Sequence, residues 1–138
     1  MQANPIVFFT VCTLGRRRDL ATGKAHTLLR QLWSYSAEKN GWFVGDFLLM
    51  PDHVHFFARP SQDATPMRKW VGMWKSVSTR RLINHGRFWQ KDYFDRYLRT
   101  GEDYAEKWRY VELNPVRAEL VSHPDQWPHK GRIHNLRF

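Results

Sequence analysis

Residues 42–59 read WFVGDFLLMPDHVHFFAR, and this stretch decides the fold because it joins two apolar runs through one turn signal. Trp42 to Met50 and Val54 to Arg59 are rich in the aromatic and β-branched residues that favour strands. Pro51-Asp52 between the two runs is a typical turn dipeptide. The stretch therefore predicts a β-hairpin.

The segments on either side of the hairpin alternate between strand and helix signals. Ile6 to Leu14 (IVFFTVCTL) predicts a mostly buried strand, and residues 22–40 predict a helix that the Asn40-Gly41 pair ends. After the hairpin, Thr65-Pro66 predicts a threonine N-cap followed by proline as the first helical residue. Apolar residues continue at helical spacing beyond that point, so a second helix follows the hairpin.

Two further signals complete the element order. A short fourth strand is expected at Phe88-Trp89-Gln90 or Tyr93-Phe94-Asp95, and Thr100-Gly101-Glu102-Asp103 resembles a capping box that begins a last helix. This helix is expected to end near Asn114 because Pro115 disfavours helical geometry in the residue before it. The order β-α-β-β-α-β-α predicts an α+β, ferredoxin-like fold with a four-stranded antiparallel sheet and helices on one face.

The composition is that of one small globular domain with a strong positive charge. The 138 residues include 22 Lys+Arg and 13 Asp+Glu, which gives a formal net charge of +9. A hydrophobic fraction of 42% and an aromatic fraction of 15% exclude a disordered basic chain. An anionic polymer is the partner that this balance favours.

Three features predict a soluble, cytoplasmic protein that does not contact a membrane. The longest apolar run, Phe47 to Pro51, is far shorter than the roughly 20 residues that a membrane span needs. Met1 to Pro5 lacks the basic start of a signal peptide. The single cysteine, Cys12, suits a reducing compartment.

His53-Val54-His55, on the second strand of the hairpin, is a candidate metal site. Side chains alternate between the faces of a strand, so both imidazoles point the same way and lie close enough to share one ion. Val54 then points into the opposite layer. The alternative is that the His-x-His spacing arises by chance among seven histidines.

The last predicted helix carries a candidate nucleophile and a candidate third ligand. Tyr110 and Asn114 are four residues apart and therefore lie on one helical face. Hard ions such as Mg²⁺ and Mn²⁺ take further oxygen ligands, which an amide, a substrate phosphate or water supplies. The alternative for Tyr110 is a half-buried packing role, which is common for tyrosines of amphipathic helices.

Clusters of basic residues are expected to contact the phosphates of a nucleic acid. The alternative for any one cluster is a solvated positive face. The candidate residues are Arg16, Arg17, Arg18, Arg68, Lys69, Lys75, Arg80, Arg81, Arg96 and Arg99.

Five blocks, taken in order, indicate a family. They are FFTV (8–11), MPDHVH (50–55), WK (74–75), FWQKDYFDR (88–96) and YVELNPVRA (110–118). With these blocks the chain resembles the single-tyrosine HUH transposases, most closely the REP-associated tyrosine transposases of bacteria, over roughly residues 5–122. Residues 1–122 are accordingly interpreted as one catalytic domain, and residues 123–138 as a basic C-terminal tail.

The resemblance implies that the chain cleaves and rejoins hairpin-containing single-stranded DNA through a covalent 5′-phosphotyrosine and a free 3′-hydroxyl. Tyr110 matches the position of the family's nucleophile. His53 and His55 match its paired ligands for Mg²⁺ or Mn²⁺, and Asn114 matches its third ligand. Glu119 departs from the glycine that relatives tend to carry, which concerns only the turn after the helix. Either a monomer or a homodimer is compatible with the resemblance.

Two functions of other classes compete with this one. One is a domesticated module that binds DNA hairpins without catalysis, and the intact set of His53, His55, Tyr110 and Asn114 argues against it. The other is an unrelated ferredoxin-like metal-binding or regulatory protein. The charge and the five ordered blocks argue against that second alternative.

Overall fold

Five β-strands form one antiparallel sheet in the computed structural model, which describes residues 4–137. The strands are β1 (Val7–Cys12), β2 (Trp42–Met50), β3 (His53–Pro60), β4 (Phe94–Tyr97) and β5 (Lys130–Arg132). Their spatial order is β4-β1-β3-β2-β5, so β3 lies at the centre between β1 and β2. Residues 1–3 and residue 138 lie outside the described residues. Residues 1–3 belong to the segment predicted not to be a signal peptide, and residue 138 is the last residue of the predicted tail.

Helices cover both faces of this sheet. They are α1 (Gly23–Asn40), α2 (Met67–Leu82), α3 (Gly101–Glu112) and the short α4 (Asn114–Arg117). The predicted α+β class and the order β-α-β-β-α-β-α are confirmed, with α4 and β5 following. Within residues 4–137, no helix combines the length and the hydrophobicity that crossing a bilayer requires.

Five buried tryptophans contribute to the layer between the sheet and the helices α1 and α2. Trp33 of α1 and Trp74 of α2 both contact Phe56 of β3, with ring centroids 4.8 Å and 5.8 Å away. Trp42 stacks on Trp70 with centroids 4.6 Å apart. This dense aromatic layer packs against one face of β3, and the alternate residues of the strand project from the other face.

Helix α3 packs on the opposite face, so the prediction that the helices share one face is wrong. The ring of Phe57 in β3 stacks on Tyr104 of α3 with centroids 4.1 Å apart. Tyr104 Oη donates a hydrogen bond to Asp46 Oδ2 at 2.7 Å, and burial raises the pKa of this tyrosine. Phe8 and Leu48 are buried on the same face. The second face of the sheet is therefore apolar as well, and its burial under another element is favourable because apolar surface is removed from water.

The segment predicted as a basic tail adds a fifth strand to a sheet expected to have four. Strand β5 pairs with β2, where Arg132 lies opposite Asp46 and its Nε donates to Asp46 Oδ1 at 3.0 Å. Trp127 Nε1 donates to the carbonyl oxygen of Leu49 at 2.9 Å. The apolar residues of this segment are too widely spaced for strand or helix periodicity, which is why local pattern does not predict the pairing.

Local signals place the helix ends to within about two residues. Thr100 and Asp103 form the predicted capping box of α3. Thr65 is not the N-cap of α2, because Pro66 takes that position and has no capping side-chain bond. The Thr65 hydroxyl instead accepts a hydrogen bond from Asn40 Nδ2 at 3.3 Å. Helix α3 ends at Glu112, near the predicted end at Asn114.

Candidate metal and nucleophile site

His53 and His55 lie side by side on the face of β3 that α3 partly covers. Their ring centroids are 4.7 Å apart, and the ring planes meet at 80°. Val54 between them is fully buried in the opposite layer. The alternation of the strand therefore brings the two imidazoles together, as the His-x-His spacing predicts.

Each imidazole has a partner at Nδ1, which leaves Nε2 available. His53 Nδ1 donates to Asp52 Oδ1 at 2.8 Å, and His55 Nδ1 lies 2.9 Å from Thr10 Oγ1. Arg16 Nη2 in turn contacts Asp52 Oδ2 at 2.9 Å. Histidines that bind metals usually hold their second nitrogen in this way, since the bond fixes both tautomer and ring orientation. Sequence patterns did not identify Asp52 or Thr10 as orienting residues.

Burial keeps both histidines in the neutral form that binds metal ions. It lowers the pKa of His55 to about 3, and the neighbouring His53 and the positive charges of Lys107 and Arg117 act in the same direction. Burial also lowers the pKa of His53. The pKa of Asp52 is lowered because the hydrogen bonds from His53 and Arg16 outweigh its burial. Neutral imidazoles beside an ionised carboxylate are a suitable donor set for a divalent cation.

The two histidines need oxygen ligands from elsewhere to complete a metal site. Among residues 4–137, no group of three or more His, Cys, Asp and Glu side chains is placed to hold an ion. Mg²⁺ and Mn²⁺ bind readily through amide oxygens, phosphate oxygens and water. Two neutral imidazoles can therefore take part in binding a divalent ion when oxygen donors supply the remaining ligands.

Tyr110 is exposed near the end of α3, where it borders a groove. Its exposed fraction is 60%, which argues against the alternative of a packing role. The groove has a volume of about 730 Å³ and runs between α3 and the segment of β4. Its lining residues are Arg96, Tyr97, Leu98, Arg99, Asp103, Glu106, Lys107 and Tyr110.

Arg117 connects Tyr110 to Asn114. Its guanidinium carbon lies 3.9 Å from the centroid of the Tyr110 ring. Its Nη2 donates to the backbone oxygen of Tyr110 at 2.8 Å and to Asn114 Oδ1. Although Asn114 begins α4, Leu113 at the junction keeps a helical conformation. Arg117 lies in the last of the sequence blocks, and its spacing of seven residues from Tyr110 is the only sequence signal for this contact.

Phe8 bridges α3 and the histidine pair. Its ring stacks on His55 with centroids 5.3 Å apart, and Lys107 Nζ lies 5.1 Å from the centroid of the same ring. Lys107 also lies 5.9 Å from the Tyr110 ring. The candidate nucleophile and the candidate ligands therefore belong to the same side of the sheet.

The predicted phosphate-binding residues divide between two regions. Arg96 lines the groove of Tyr110, and Arg16 contacts Asp52 beside His53. Lys75 and Arg80 line a second groove, of about 560 Å³, on the side of α2. Arg99 lines the groove of Tyr110 as well. The remaining basic residues predicted to bind phosphate are Arg17, Arg18, Arg68, Lys69 and Arg81.

Several of these cations already have partners in the protein. Arg17 pairs with Asp19 at 2.7 Å, and Arg68 lies 3.7 Å from Asp92. Lys75 Nζ donates to the backbone oxygens of Gln90 at 2.7 Å and Lys91 at 3.0 Å. Burial lowers the pKa of Lys75. The structure thus places Lys75 as an anchor of the loop before β4, a contact that sequence patterns do not predict.

Comparison with known proteins links this arrangement to a family. The family profile described as "Transposase IS200 like" matches residues 6–114. A Haemophilus influenzae protein provisionally named a REP-associated tyrosine transposase is 21% identical over 139 residues, which cover 91% of this chain and 78% of the relative.

Solved structures share the fold. The structure of a REP-associated tyrosine transposase bound to a REP hairpin superposes with a TM-score of 0.75 at 22% identity, over 94% of this chain and 77% of that chain. A Deinococcus radiodurans protein provisionally described as a transposase gives a TM-score of 0.60 at 19% identity, over 81% of this chain and 92% of that chain.

Proposed function

Because the chain belongs to the IS200-like transposase family, we propose that it is a metal-dependent endonuclease and strand transferase for hairpin-containing single-stranded DNA. The observation that carries this proposal is an exposed tyrosine, Tyr110, on the side of the sheet where His53 and His55 lie together. The REP hairpin bound to the similar transposase of known structure supports the substrate class.

Tyr110 is the proposed nucleophile. Its Oη attacks the phosphorus of the scissile phosphodiester, and the bond from phosphorus to the 3′ oxygen breaks. The phenol loses one proton, and the leaving 3′ oxygen gains one to become a hydroxyl. The 5′ phosphate stays on the tyrosine as a diester, so attack by a 3′-hydroxyl reverses the step and rejoins DNA without ATP. Arg117 and Lys107 hold positive charge beside this ring.

His53 and His55 would hold the divalent ion through Nε2, together with Asn114 Oδ1. The ion, Mg²⁺ or Mn²⁺, supplies Lewis-acid stabilisation of the charge that develops on the phosphate oxygens. Asp52 and Thr10 orient the two rings. Asn114 can serve as a ligand only when Arg117, which contacts its Oδ1, shares or releases that oxygen.

A covalent-adduct assay tests the proposal. Wild-type protein incubated with hairpin-containing single-stranded DNA and Mg²⁺ or Mn²⁺ is expected to form an adduct that resists denaturing electrophoresis. No adduct is expected to form when EDTA is present from the start. Tyr110→Phe removes one oxygen and keeps the ring, so hairpin binding is expected to persist while the adduct is lost. Tyr35→Phe, at another exposed tyrosine, is the matched control and retains the adduct.

Two outcomes would contradict the assignment. An adduct that maps by mass spectrometry to a tyrosine other than Tyr110 would refute the nucleophile. Tight hairpin binding with no adduct in any metal would instead identify a binding module without catalysis.

A further inference from the structure

The exposed aromatic side chains are not tryptophans. Within residues 4–137, five tryptophans are buried and the other two, Trp108 and Trp127, are half-buried. The large aromatic side chains on the surface are Tyr35, Phe43, Phe94, Tyr97 and Tyr110. Phe94 is of special interest because it lies on the edge strand β4 with 56% of its surface exposed.

The sheet register places Phe94 on the same face as the histidine pair. Thr10 of β1 lies opposite His55 on one side and opposite Phe94 on the other. Residues that pair directly across antiparallel strands project to the same face. Neighbouring strands are about 4.8 Å apart, so Phe94 lies about 10 Å from His55 across the sheet.

Cations line the surface next to this ring. Two residues before Thr10 on β1, Phe8 lies opposite Arg96 of β4. Arg96 therefore projects to the same face of the sheet as Phe94. Arg96, Arg99 and Lys107 line the groove that contains Tyr110, and Arg96 makes no ion pair with any residue between 4 and 137. Asp103, one of two acidic residues of the groove, is engaged in the capping box of α3.

We propose that Phe94 is a stacking platform for the base of an unpaired nucleotide next to the scissile phosphate, and that Arg96 contacts a phosphate of the same strand. Aromatic rings beside a positive groove are the usual arrangement for single-stranded nucleic acid, since each base offers a flat face and each nucleotide a negative charge. Stacked nucleotides advance about 3.4 Å each, so one to three nucleotides span the distance to His55. This inference rests on the proposed function, and it adds a base-binding position that the metal and nucleophile site lacks.

Binding experiments in the Tyr110→Phe background test the platform without cleavage. The DNA carries 2-aminopurine at one unpaired position at a time beside the hairpin, and its fluorescence is expected to fall on binding at one or two positions. Phe94→Ala is expected to remove this quenching and to weaken binding about 5- to 150-fold, the range that loss of one stacked base gives. Phe94→Tyr restores both, whereas Tyr35→Ala, at an exposed aromatic on α1, changes neither.

A hairpin without unpaired flanks separates the platform from general effects. Phe94→Ala is expected to bind this duplex-only DNA as tightly as the parent does, and an equal loss on both DNAs would overturn the inference. Full quenching and affinity in Phe94→Ala would also overturn it.

The adduct assay on the Tyr110-containing protein distinguishes this failure from that of the proposed function. If adduct forms while Phe94→Ala has no effect on binding, only the platform is refuted. If quenching depends on Phe94 while no adduct forms, only the cleavage function is refuted.

Discussion

Replacing Asp52 by alanine is expected to weaken Mn²⁺ binding because it removes the acceptor that orients His53. The bond from His53 Nδ1 to the carboxylate is 2.8 Å long, and Arg16 holds the other carboxylate oxygen at 2.9 Å. A hydrogen bond to a charged group contributes about 1.5–3 kcal/mol, which corresponds to about 13- to 160-fold in affinity. The neutral bond between Thr10 and His55 contributes about 0.5–1.5 kcal/mol, so Thr10→Val is expected to cost about 2- to 13-fold.

Electron paramagnetic resonance of free Mn²⁺ measures these affinities on the DNA-free protein, independently of cleavage. Asp52→Asn retains an acceptor oxygen without its charge, so its affinity is expected to fall between those of the wild type and Asp52→Ala. His53→Ala provides the reference for complete loss of one ligand. Wild-type affinity in Asp52→Ala, with loss in His53→Ala, would show that the carboxylate does not orient the ring. A larger cost for Thr10→Val than for Asp52→Ala would contradict the ranking of the two bonds.

Three further changes test other parts of the structure. Arg117→Lys keeps the charge but loses the planar group that stacks on Tyr110 and donates to its backbone oxygen. Single-turnover adduct formation is therefore expected to slow about 10- to 100-fold, with little change in DNA affinity. Equal losses in rate and affinity would contradict a positioning role for Arg117. Lys75→Met is expected to lower the free energy of unfolding in urea by about 1.5–3 kcal/mol, because the ammonium donates to two backbone oxygens. An unchanged midpoint of the urea transition would show that the loop before β4 does not need Lys75 as an anchor. Burial lowers the pKa of His26 and of its neighbour His129, so the melting temperature is expected to fall as the pH drops below about 6.5, where the unfolded chain takes up protons that these side chains exclude when folded. His26→Gln is expected to reduce that dependence without abolishing it, because the lowered pKa values of His53 and His55 act in the same direction. An identical pH profile in this variant would refute the contribution of His26.

The elements with strong local signals could be predicted nearly to the residue. Strand β2 has the predicted bounds, and α1 begins at Gly23 and ends at Asn40. Gly41, which follows α1, has φ of 73°, a conformation that glycine adopts without strain. These elements are determined by periodicity and by the residues at their ends, so neighbours in the sequence contain the information.

Contacts between distant segments could not be predicted in the same way. The pairing of Arg132 with Asp46 depends on a strand that shows no periodic pattern. The position of Phe94 beside Thr10 depends on the order of strands in the sheet. For the candidate site, strand alternation predicted the pairing of His53 with His55, but Asp52, Thr10 and Arg117 act through contacts that only the folded chain reveals.

The anchoring of α3 on Phe57 explains how packing positions the proposed nucleophile. Tyr104 stacks on Phe57, and His55 lies two residues along β3, or about 7 Å, on the same face. Tyr110 follows Tyr104 by six residues, which corresponds to about 9 Å along a helix. Lys107 Nζ, between these two tyrosines, lies 5.1 Å from the ring centroid of Phe8, which stacks on His55, so this end of α3 lies near His55. The positive charge of Arg117 accordingly lowers the pKa of His55. One end of α3 thus covers apolar surface, while the other presents Tyr110 where the sheet offers imidazoles instead of apolar side chains.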